Sequence, residues 1–391
     1  MRWSCRHPPG SRARRRSPIS ATWAASARLP PVPASPLDHI HRELGARFVD
    51  FGGWSMPVQY EGVLAEHQAV RSAAGVFDVS HLGRVQVSGP GATELLGSIF
   101  CNDIRKAGPG RAQYTMLLTP RGGVVDDIIV WRLGEEDYIV MPNGVNVDDV
   151  GGVLKAAAPP DVDIVSRRED TALLAVQGPG APDLIEAVMG WKPKRFGVAE
   201  ALFGGEAVTV AGTGYTGEPG GELMVSQAVA GDCLRVLLDA GAIPCGLGSR
   251  DTLRLEMGYP LWGQDLDEDT SPLEAGLEWV VDWDHDFIGR KSLLRQKSKG
   301  VAKTQVGFVM KGRQIPRAGY GLRAGPSTGA VTSGNFSPVL DVGIGLGYLS
   351  PPPVFHRFSR AEGDPEPALE VEIRGEWLPV TLKSPPFIKG D

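Results

Sequence analysis

Apolar positions along the chain fall first at the spacing of helices and later at the spacing of strands. Leu37, Ile40 and Leu44 follow at helical spacing behind Ser35-Pro36-Leu37-Asp38. In that string Ser can cap, Pro suits the first helical position and Asp favours the positive end. Gly45 is a fitting stop. Residues 249–257 predict a second helix closed by Gly258, and Ser271-Pro272-Leu273-Glu274, with capping-box spacing, predicts another. Strands are expected over 112–118, 124–131, 138–141, 207–211 and 222–225. The charged stretch 284–303 reads as helix plus linker. Beyond it, 304–310, 329–332, 343–348, 368–373 and 377–382 are short apolar runs between Gly and Pro residues, the pattern of a terminal all-β domain.

One pattern occurs twice. Val85-Gln86-Val87-Ser88-Gly89-Pro90-Gly91-Ala92 leads into Leu95, Leu96 and Ile99, and Leu174-Ala175-Val176-Gln177-Gly178-Pro179-Gly180-Ala181 leads into Leu184, Ile185 and Val188. Both read strand, Gly-Pro-Gly turn, amphipathic helix. The match in flanking apolar residues favours two related α+β halves over coincidence.

Length and charge narrow the picture. At about 100–200 residues per domain, 391 residues make two or three domains. The net charge of −6 hides an asymmetry: residues 1–36 hold seven Arg and no acid, which leaves −13 for the rest. An acidic body argues against nucleic acid or a bilayer surface as partner. Residues 1–35 read as a disordered N-terminal extension, with the protein in the cytoplasm; the alternative is a mitochondrial transit peptide, which would place it in the matrix. Cys5, Cys101, Cys233 and Cys245 form no zinc-type spacing, so no metal is expected, and no apolar run is long enough to span a membrane.

Several residues carry candidate chemistry. Gly212-Thr213-Gly214-Tyr215-Thr216-Gly217 matches G-x-G-x-x-G, but a strand and not a helix is expected after it, which excludes a dinucleotide fingerprint. Asp126 and Asp127 interrupt the apolar run Val124-Val125-Asp126-Asp127-Ile128-Ile129-Val130. Neighbours in a strand face opposite sides, so one carboxylate points into a cleft or both are bonded at a strand end. Glu222 follows a Gly-rich turn, where a carboxylate can take two parallel hydrogen bonds from an amidine-like edge or sit exposed. Arg250 stands at a helix start, against the dipole, and calls for a carboxylate partner or a ligand. Ser80-His81 lacks a nucleophile elbow, and His81 reads as structural.

Six strings in order are similar to the glycine cleavage T-protein family of aminomethyltransferases: Phe51-Gly52-Gly53-Trp54-Ser55-Met56-Pro57-Val58-Gln59-Tyr60, Phe77-Asp78-Val79-Ser80-His81, Gly122 to Val130, Gly214-Tyr215-Thr216-Gly217-Glu218, Gly246 to Glu256, and Val331-Thr332-Ser333-Gly334-Asn335-Phe336-Ser337-Pro338. The resemblance covers residues 36–388. It implies an α+β, three-domain cloverleaf, with two interleaved α+β folate-binding domains over 36–290 and a C-terminal β-barrel over 291–391. It implies transfer of a methylene from the aminomethyl-dihydrolipoyl arm of the H-protein to tetrahydrofolate, with release of ammonia and 5,10-methylenetetrahydrofolate. Residue by residue, it implies Asp127 as the catalytic carboxylate and Glu222 as the pterin ligand. Tyr114 and Tyr215 would line the folate, Met56 and Val140 would make apolar contacts, and Arg250 would touch the folate. Some relatives place a Tyr near the ligand from the extreme C-terminus, whereas this chain ends Pro385-Pro386-Phe387-Ile388-Lys389-Gly390-Asp391.

Two other readings share the fold. A non-enzymatic folate-binding factor of iron–sulfur assembly would carry a K-G-C-x-x-G-Q-E string, which is not in this sequence. Another folate-dependent enzyme, such as a demethylase, would differ in its methyl donor, because fold does not fix substrate.

Overall fold

The computed structural model describes residues 33–353 and 368–389. The arginine-rich stretch up to residue 32 lies outside the described residues. From Pro33 the chain is tied in: its carbonyl accepts the Ser55 amide, and Ala34 bridges to Ser55. Ser35 is buried, and its hydroxyl accepts the Leu37 amide at 3.1 Å. The first expected helix follows as α1 (Asp38–Glu43). It ends at Gly45, whose φ of +73° suits glycine.

The chain then runs through the hairpin β1 (Arg47–Phe51) and β2 (Trp54–Gln59), α2 (Val63–Ser72) and β3 (Gly75–Asp78). The first half follows as β4 (Val85–Ser88), α3 (Ala92–Ile99), β5 (Arg111–Leu118), β6 (Val124–Arg132), β7 (Asp137–Met141), α4 (Val147–Ala157) and β8 (Asp163–Ser166). The second half is β9 (Thr171–Gln177), α5 (Ala181–Met189), β10 (Val198–Phe203), β11 (Glu206–Ala211), β12 (Gly220–Ser226), α6 (Gln227–Asp239) and β13 (Ile243–Cys245). The two halves form sheets of order β5-β6-β7-β4-β8 and β10-β11-β12-β9-β3-β13. The repeat seen in the sequence is therefore a repeat of topology. The halves are interleaved, because β3 joins the second sheet before the first sheet is built.

The duplicated turns show why glycine stands where it does. Gly89 and Gly178 have φ of +119° and +132°. A Cβ on either would lie 2.1 Å from the Asp161 carbonyl or 2.4 Å from the Ala73 carbonyl. Each turn packs backbone on backbone and releases the chain into its helix.

Alternation along the strands builds four layers. In β9, Leu174 and Val176 pack towards α5 and α6 with Ile185, Leu234 and Leu237, while Leu173 and Ala175 meet Trp131, Ile139 and Met141 of the first sheet. In β7, Tyr138 and Val140 turn the other way, onto Leu95 and Leu96 of α3 and Leu154 of α4. The two sheets thus face each other across a shared apolar layer, with helices outside.

After α7 (Leu247–Met257), closed by Gly258 at φ +71°, comes one correction to the expected elements. The capping box forms: the Ser271 amide donates to Glu274 Oε2 at 2.9 Å and the Glu274 amide to Ser271 Oγ at 3.2 Å. No helix follows, only turns and a short 3-10 segment at Glu278–Val280. Gly276, with φ of +71°, stops the helix at its first turn.

The stretch 284–303 contains α8 (Arg290–Lys299). The barrel is β14 (Thr304–Val309), β15 (Gly321–Ala324), β16 (Ser327–Ser337), β17 (Val342–Ser350), β18 (Leu369–Ile373), β19 (Glu376–Pro379) and β20 (Thr381–Leu382). β19 pairs with β18 and β20 with β14. Only Val380 separates them, so one segment joins both edges of the sheet and closes a six-stranded barrel. Among the described residues, no helix is long and apolar enough to cross a membrane.

Candidate active site

A cavity of about 1590 Å³ is bounded by both sheets, the β1–β2 tip and the barrel. Its walls bring together five of the residues singled out in the sequence: Tyr114, Asp127, Tyr215, Glu222 and Arg250.

Asp127 lies on β6, and strand alternation sends it to the cavity with Ile129. Asp126 points the other way and is fully buried. Asp126 accepts the Asn143 amide at 2.9 Å, the Asn143 side chain at 2.8 Å and the Asn146 side chain at 2.8 Å. The Asn143 Nδ2 also reaches Asp127 Oδ1 at 3.0 Å, and the Tyr114 hydroxyl donates to Asp127 Oδ2 at 3.1 Å. Both readings of the acidic pair are therefore realised, one by each residue.

Burial raises the pKa of both carboxyls above the usual carboxylate range, while the Tyr114 and Asn143 donors pull Asp127 back down. The Tyr114 phenol is pushed well above its ordinary value by burial and then by the charge of Asp127, so it remains a donor.

Glu222 sits within β12, 5 % exposed, opposite Ala211 and Ala175. Its carboxylate accepts the Thr213 hydroxyl. Burial pushes its pKa up, against the Thr213 hydrogen bond and the Arg250 charge. Arg250, in the first turn of α7, lies 4.6 Å over the Tyr215 ring. The Tyr215 hydroxyl donates to the Pro260 carbonyl, and its ring centroid is 5.8 Å from that of Tyr259. The glycine-rich loop 212–217 joins β11 to the strand β12, as expected. At Gly214 a Cβ would lie 1.9 Å from Gln177 Oε1, so its glycine serves packing and not a phosphate.

Two expected residues are not at the cavity. Val140 is fully buried on the helix-facing side of β7, and alternation gives the cavity its neighbour Met141 instead. Met56 is fully buried in β2, and from that hairpin Phe51, Gly52 and Trp54 reach the cavity. The C-terminal segment contributes Ser384, Pro385 and Pro386, while Phe387 is buried against Leu255, Ile344 and Leu346.

Other residues line the cavity without a mark of function in the local sequence. Asn143 stands in a Pro-Asn-Gly string whose plain meaning is a turn. Trp262 donates to the Val124 carbonyl at 3.2 Å, and Trp279, 72 % exposed, stacks on Tyr114 at 6.0 Å between centroids. Away from the cavity, Asp103, Asp282 and His285 bring three metal-type ligand atoms within 4.8 Å of one another. Lys106 neutralises Asp282 and Arg105 neutralises Asp103.

Residues 37–285 match the family model of the GCVT N-terminal domain, and residues 303–389 match that of the glycine cleavage T-protein C-terminal barrel domain. The chain is 43% identical over 367 residues to the aminomethyltransferase of Mycobacterium tuberculosis, covering 92% of this chain and 98% of that one. It is 40% identical over 363 residues to the aminomethyltransferase of Halothermothrix orenii, covering 90% and 99%. The crystal structure of glycine cleavage system aminomethyltransferase T from Bartonella henselae superposes with a TM-score of 0.83 at 31% identity, over 92% of this chain and 99% of that one.

Proposed function

This chain belongs to the glycine cleavage T-protein family, and from that premise we propose how its cavity carries out aminomethyl transfer. The protein is an aminomethyltransferase with folate as co-substrate. The donor in our reading is the aminomethyl-dihydrolipoyl arm of the H-protein. The cavity volume supports two guests: about 1590 Å³ exceeds the roughly 300–1,000 Å³ of an ordinary small-molecule site. The bacterial relatives support a cytoplasmic enzyme.

The reaction exchanges two bonds for two. The aminomethyl carbon loses its bonds to sulfur and to the amino nitrogen and gains bonds to N5 and N10 of tetrahydrofolate. The two protons those nitrogens carried end on the dihydrolipoyl sulfur and on ammonia. Asp127 is the group that moves a proton along this path. As an anion it accepts a proton from the folate, and its raised pKa lets it hold that proton for the departing nitrogen. Tyr114 and Asn143 fix its two oxygens, so the carboxylate meets the substrate without reorganising. Glu222 takes the amidine-like edge of the pterin, and the Tyr215 ring offers a stacking face.

The observation that carries this reading is Asp127 itself, a half-buried carboxylate held by two donors and turned into the cavity. The test is ammonia release from aminomethylated H-protein in the presence of tetrahydrofolate. Asp127→Asn is expected to lower kcat by about 10²–10⁴, the range of a lost general acid or base. Near wild-type turnover in that variant would remove Asp127 from the mechanism.

A further inference from the structure

Away from the central cavity, two segments far apart in the chain are tied together by their backbones. Asp103 opens the 3-10 turn Ile104–Lys106 that follows α3, and Asp282 and His285 stand in the irregular stretch between Glu278–Val280 and α8. The Asp282 amide donates to the Cys101 carbonyl at 2.8 Å, and His285 Nε2 donates to the Phe100 carbonyl at 3.0 Å. The result is a cluster in which a ring nitrogen of His285 and one carboxylate oxygen from each Asp lie within 4.8 Å of one another.

The imidazole is the informative member. His285 is 8 % exposed, and its ring is held against Phe287 at 5.1 Å between centroids. A carbonyl can only accept, so Nε2 carries a hydrogen. Nδ1 is shielded from water and has no hydrogen-bond partner. On a protonated ring Nδ1 would donate to one of the two carboxylates beside it, and neither accepts from it. In the neutral ring Nδ1 is a buried lone pair facing two further acceptors. Three acceptors cannot satisfy one another, whereas a cation satisfies all three. An imidazole whose other N–H is fixed by a backbone carbonyl is also the usual form of a histidine metal ligand.

The cations already present do not close the set. Arg105 Nε donates to Asp103 Oδ1 at 2.7 Å, but the same guanidinium is shared with Glu94 at 3.3 Å. Lys106 pairs with Asp282 through a side chain that is 57 % exposed. The Asp284 amide donates to Asp282 Oδ1 at 3.1 Å, and its carboxylate adds to the negative charge felt by Lys106. The acids Glu94, Asp103, Asp282 and Asp284 therefore outnumber Arg105 and Lys106. A cavity of about 350 Å³, lined by Asn102, Trp279, Asp282 and Trp283, opens beside Asp282 and gives an ion a way in.

We propose that Asp103, Asp282 and His285 form a binding site for one divalent first-row cation of the zinc type. One imidazole with two carboxylates suits such an ion, whereas Mg²⁺ and Ca²⁺ take all-oxygen sets. Ligand atoms about 2.0–2.2 Å from zinc stand roughly 3.4 Å apart in a tetrahedron. The set closes by rotation of the half-buried Asp282 side chain as Lys106 swings out to water. Asp103 binds through Oδ2, because both of its hydrogen bonds from Arg105 go to Oδ1. The ion fastens the irregular segment that carries Trp279, and with it the stack of Trp279 on Tyr114, to the end of α3. This site does not depend on the folate reading. It has no cysteine ligand, so the cysteine spacing in the sequence gives no sign of it.

The test is calorimetric titration of the full-length protein, free of any affinity tag, with Zn²⁺, beside His285→Gln, Asp282→Asn and Lys106→Gln. The wild-type chain is expected to take up one Zn²⁺ at a saturable site and to show a higher urea midpoint with the ion bound. His285→Gln keeps an amide to donate to the Phe100 carbonyl. It and Asp282→Asn are each expected to weaken the binding ten-fold or more, since even partners outside a ligand set are worth about 10–100-fold. Lys106→Gln removes the competing ammonium and no ligand, and is expected to tighten binding by about two- to five-fold, the scale of an exposed ion pair. That gain keeps the proposal falsifiable if a ligand variant fails to fold. No saturable Zn²⁺ site in the wild-type chain overturns the proposal. Wild-type affinity in either folded ligand variant overturns it too, as does unchanged or weaker binding in Lys106→Gln.

Discussion

One amide nitrogen of Asn143 serves both Asp126 and Asp127, at 2.8 Å from Asp126 Oδ1 and 3.0 Å from Asp127 Oδ1. The strand turns the two carboxylates to opposite faces, and a loop residue from beyond β7 joins them again. Asp126 is bound on its own side by the Asn143 amide and by Asn146, so it fixes the Asn143 side chain while that side chain orients Asp127.

Removing that amide has a definite effect on pH dependence. Burial raises both carboxyl pKa values, and the Asn143 donors lower them again. Asn143→Ala removes the lowering contribution, so the protonated form persists to higher pH. Activity that needs Asp127 as an anion is then lost at a higher pH than in the wild-type enzyme, and the acid limb of the kcat profile moves upward. The stability profile has the same origin. Groups whose folded pKa lies above the unfolded value bind protons more tightly when folded, so their stabilising contribution is lost as pH rises through the folded value. The variant is expected to lose more stability than wild type on that rise. Measured kcat profiles check the first point and urea unfolding at several pH values the second; an unmoved acid limb would separate Asn143 from the ionisation of Asp127.

Glu222 has a different kind of role, and its substitution is expected to act on binding. A carboxylate accepts two hydrogen bonds from an amidine-like edge, whereas the amide of Glu222→Gln accepts one and turns a donor towards the other. A hydrogen bond to a charged group contributes about 1.5–3 kcal/mol, so the KM for tetrahydrofolate is expected to rise by about ten-fold or more while kcat at saturation stays near wild type. Steady-state kinetics with varied tetrahydrofolate reads this directly. A fall in kcat with unchanged KM would place Glu222 in the chemical step instead.

What the sequence made legible follows the range of the interactions involved. The strand and helix of each Gly-Pro-Gly repeat are local, and they appear as expected. So does the division of Asp126 from Asp127, because period-two alternation requires it. The same alternation explains the misplacement of Val140: its position in β7 gives its side chain to the α3 and α4 layer, and Met141 takes the cavity. Arg254 is another case of distance. Its ion pair with Asp265, at 2.9 Å with both side chains nearly inaccessible, and its bond to Ser333 at 2.8 Å fasten α7 to the barrel. Neither contact has a signature in the local string. Trp262 and Trp279 are likewise brought to the cavity by chain returning from far away. The capping box at Ser271 forms its two hydrogen bonds without a helix behind it, since Gly276 decides the length.

The glycines offer a stability test in which two similar substitutions have opposite signs. At Gly178 the φ of +132° is one that alanine rarely adopts, and the new methyl would lie 2.4 Å from the Ala73 carbonyl and 2.7 Å from the Val70 carbonyl. Those atoms are backbone and cannot rotate away. Gly178→Ala is therefore expected to cost about 2 kcal/mol or more, the scale of a strained backbone position. Gly152 lies exposed inside α4, and a Cβ there meets nothing within 4 Å. Alanine in a helix interior is favoured over glycine by roughly 0.5–1 kcal/mol, mainly because the unfolded chain has less freedom to lose. Gly152→Ala is expected to raise the urea midpoint and Gly178→Ala to lower it, with similar slopes. Because Gly178 links β9, which pairs with the strand bearing Glu222, its variant is also expected to weaken folate binding, whereas Gly152→Ala, on the outer helical layer, leaves the kinetics unchanged. A loss of stability at Gly152 or none at Gly178 would show that the packing around these turns is not what sets the conformation of the chain.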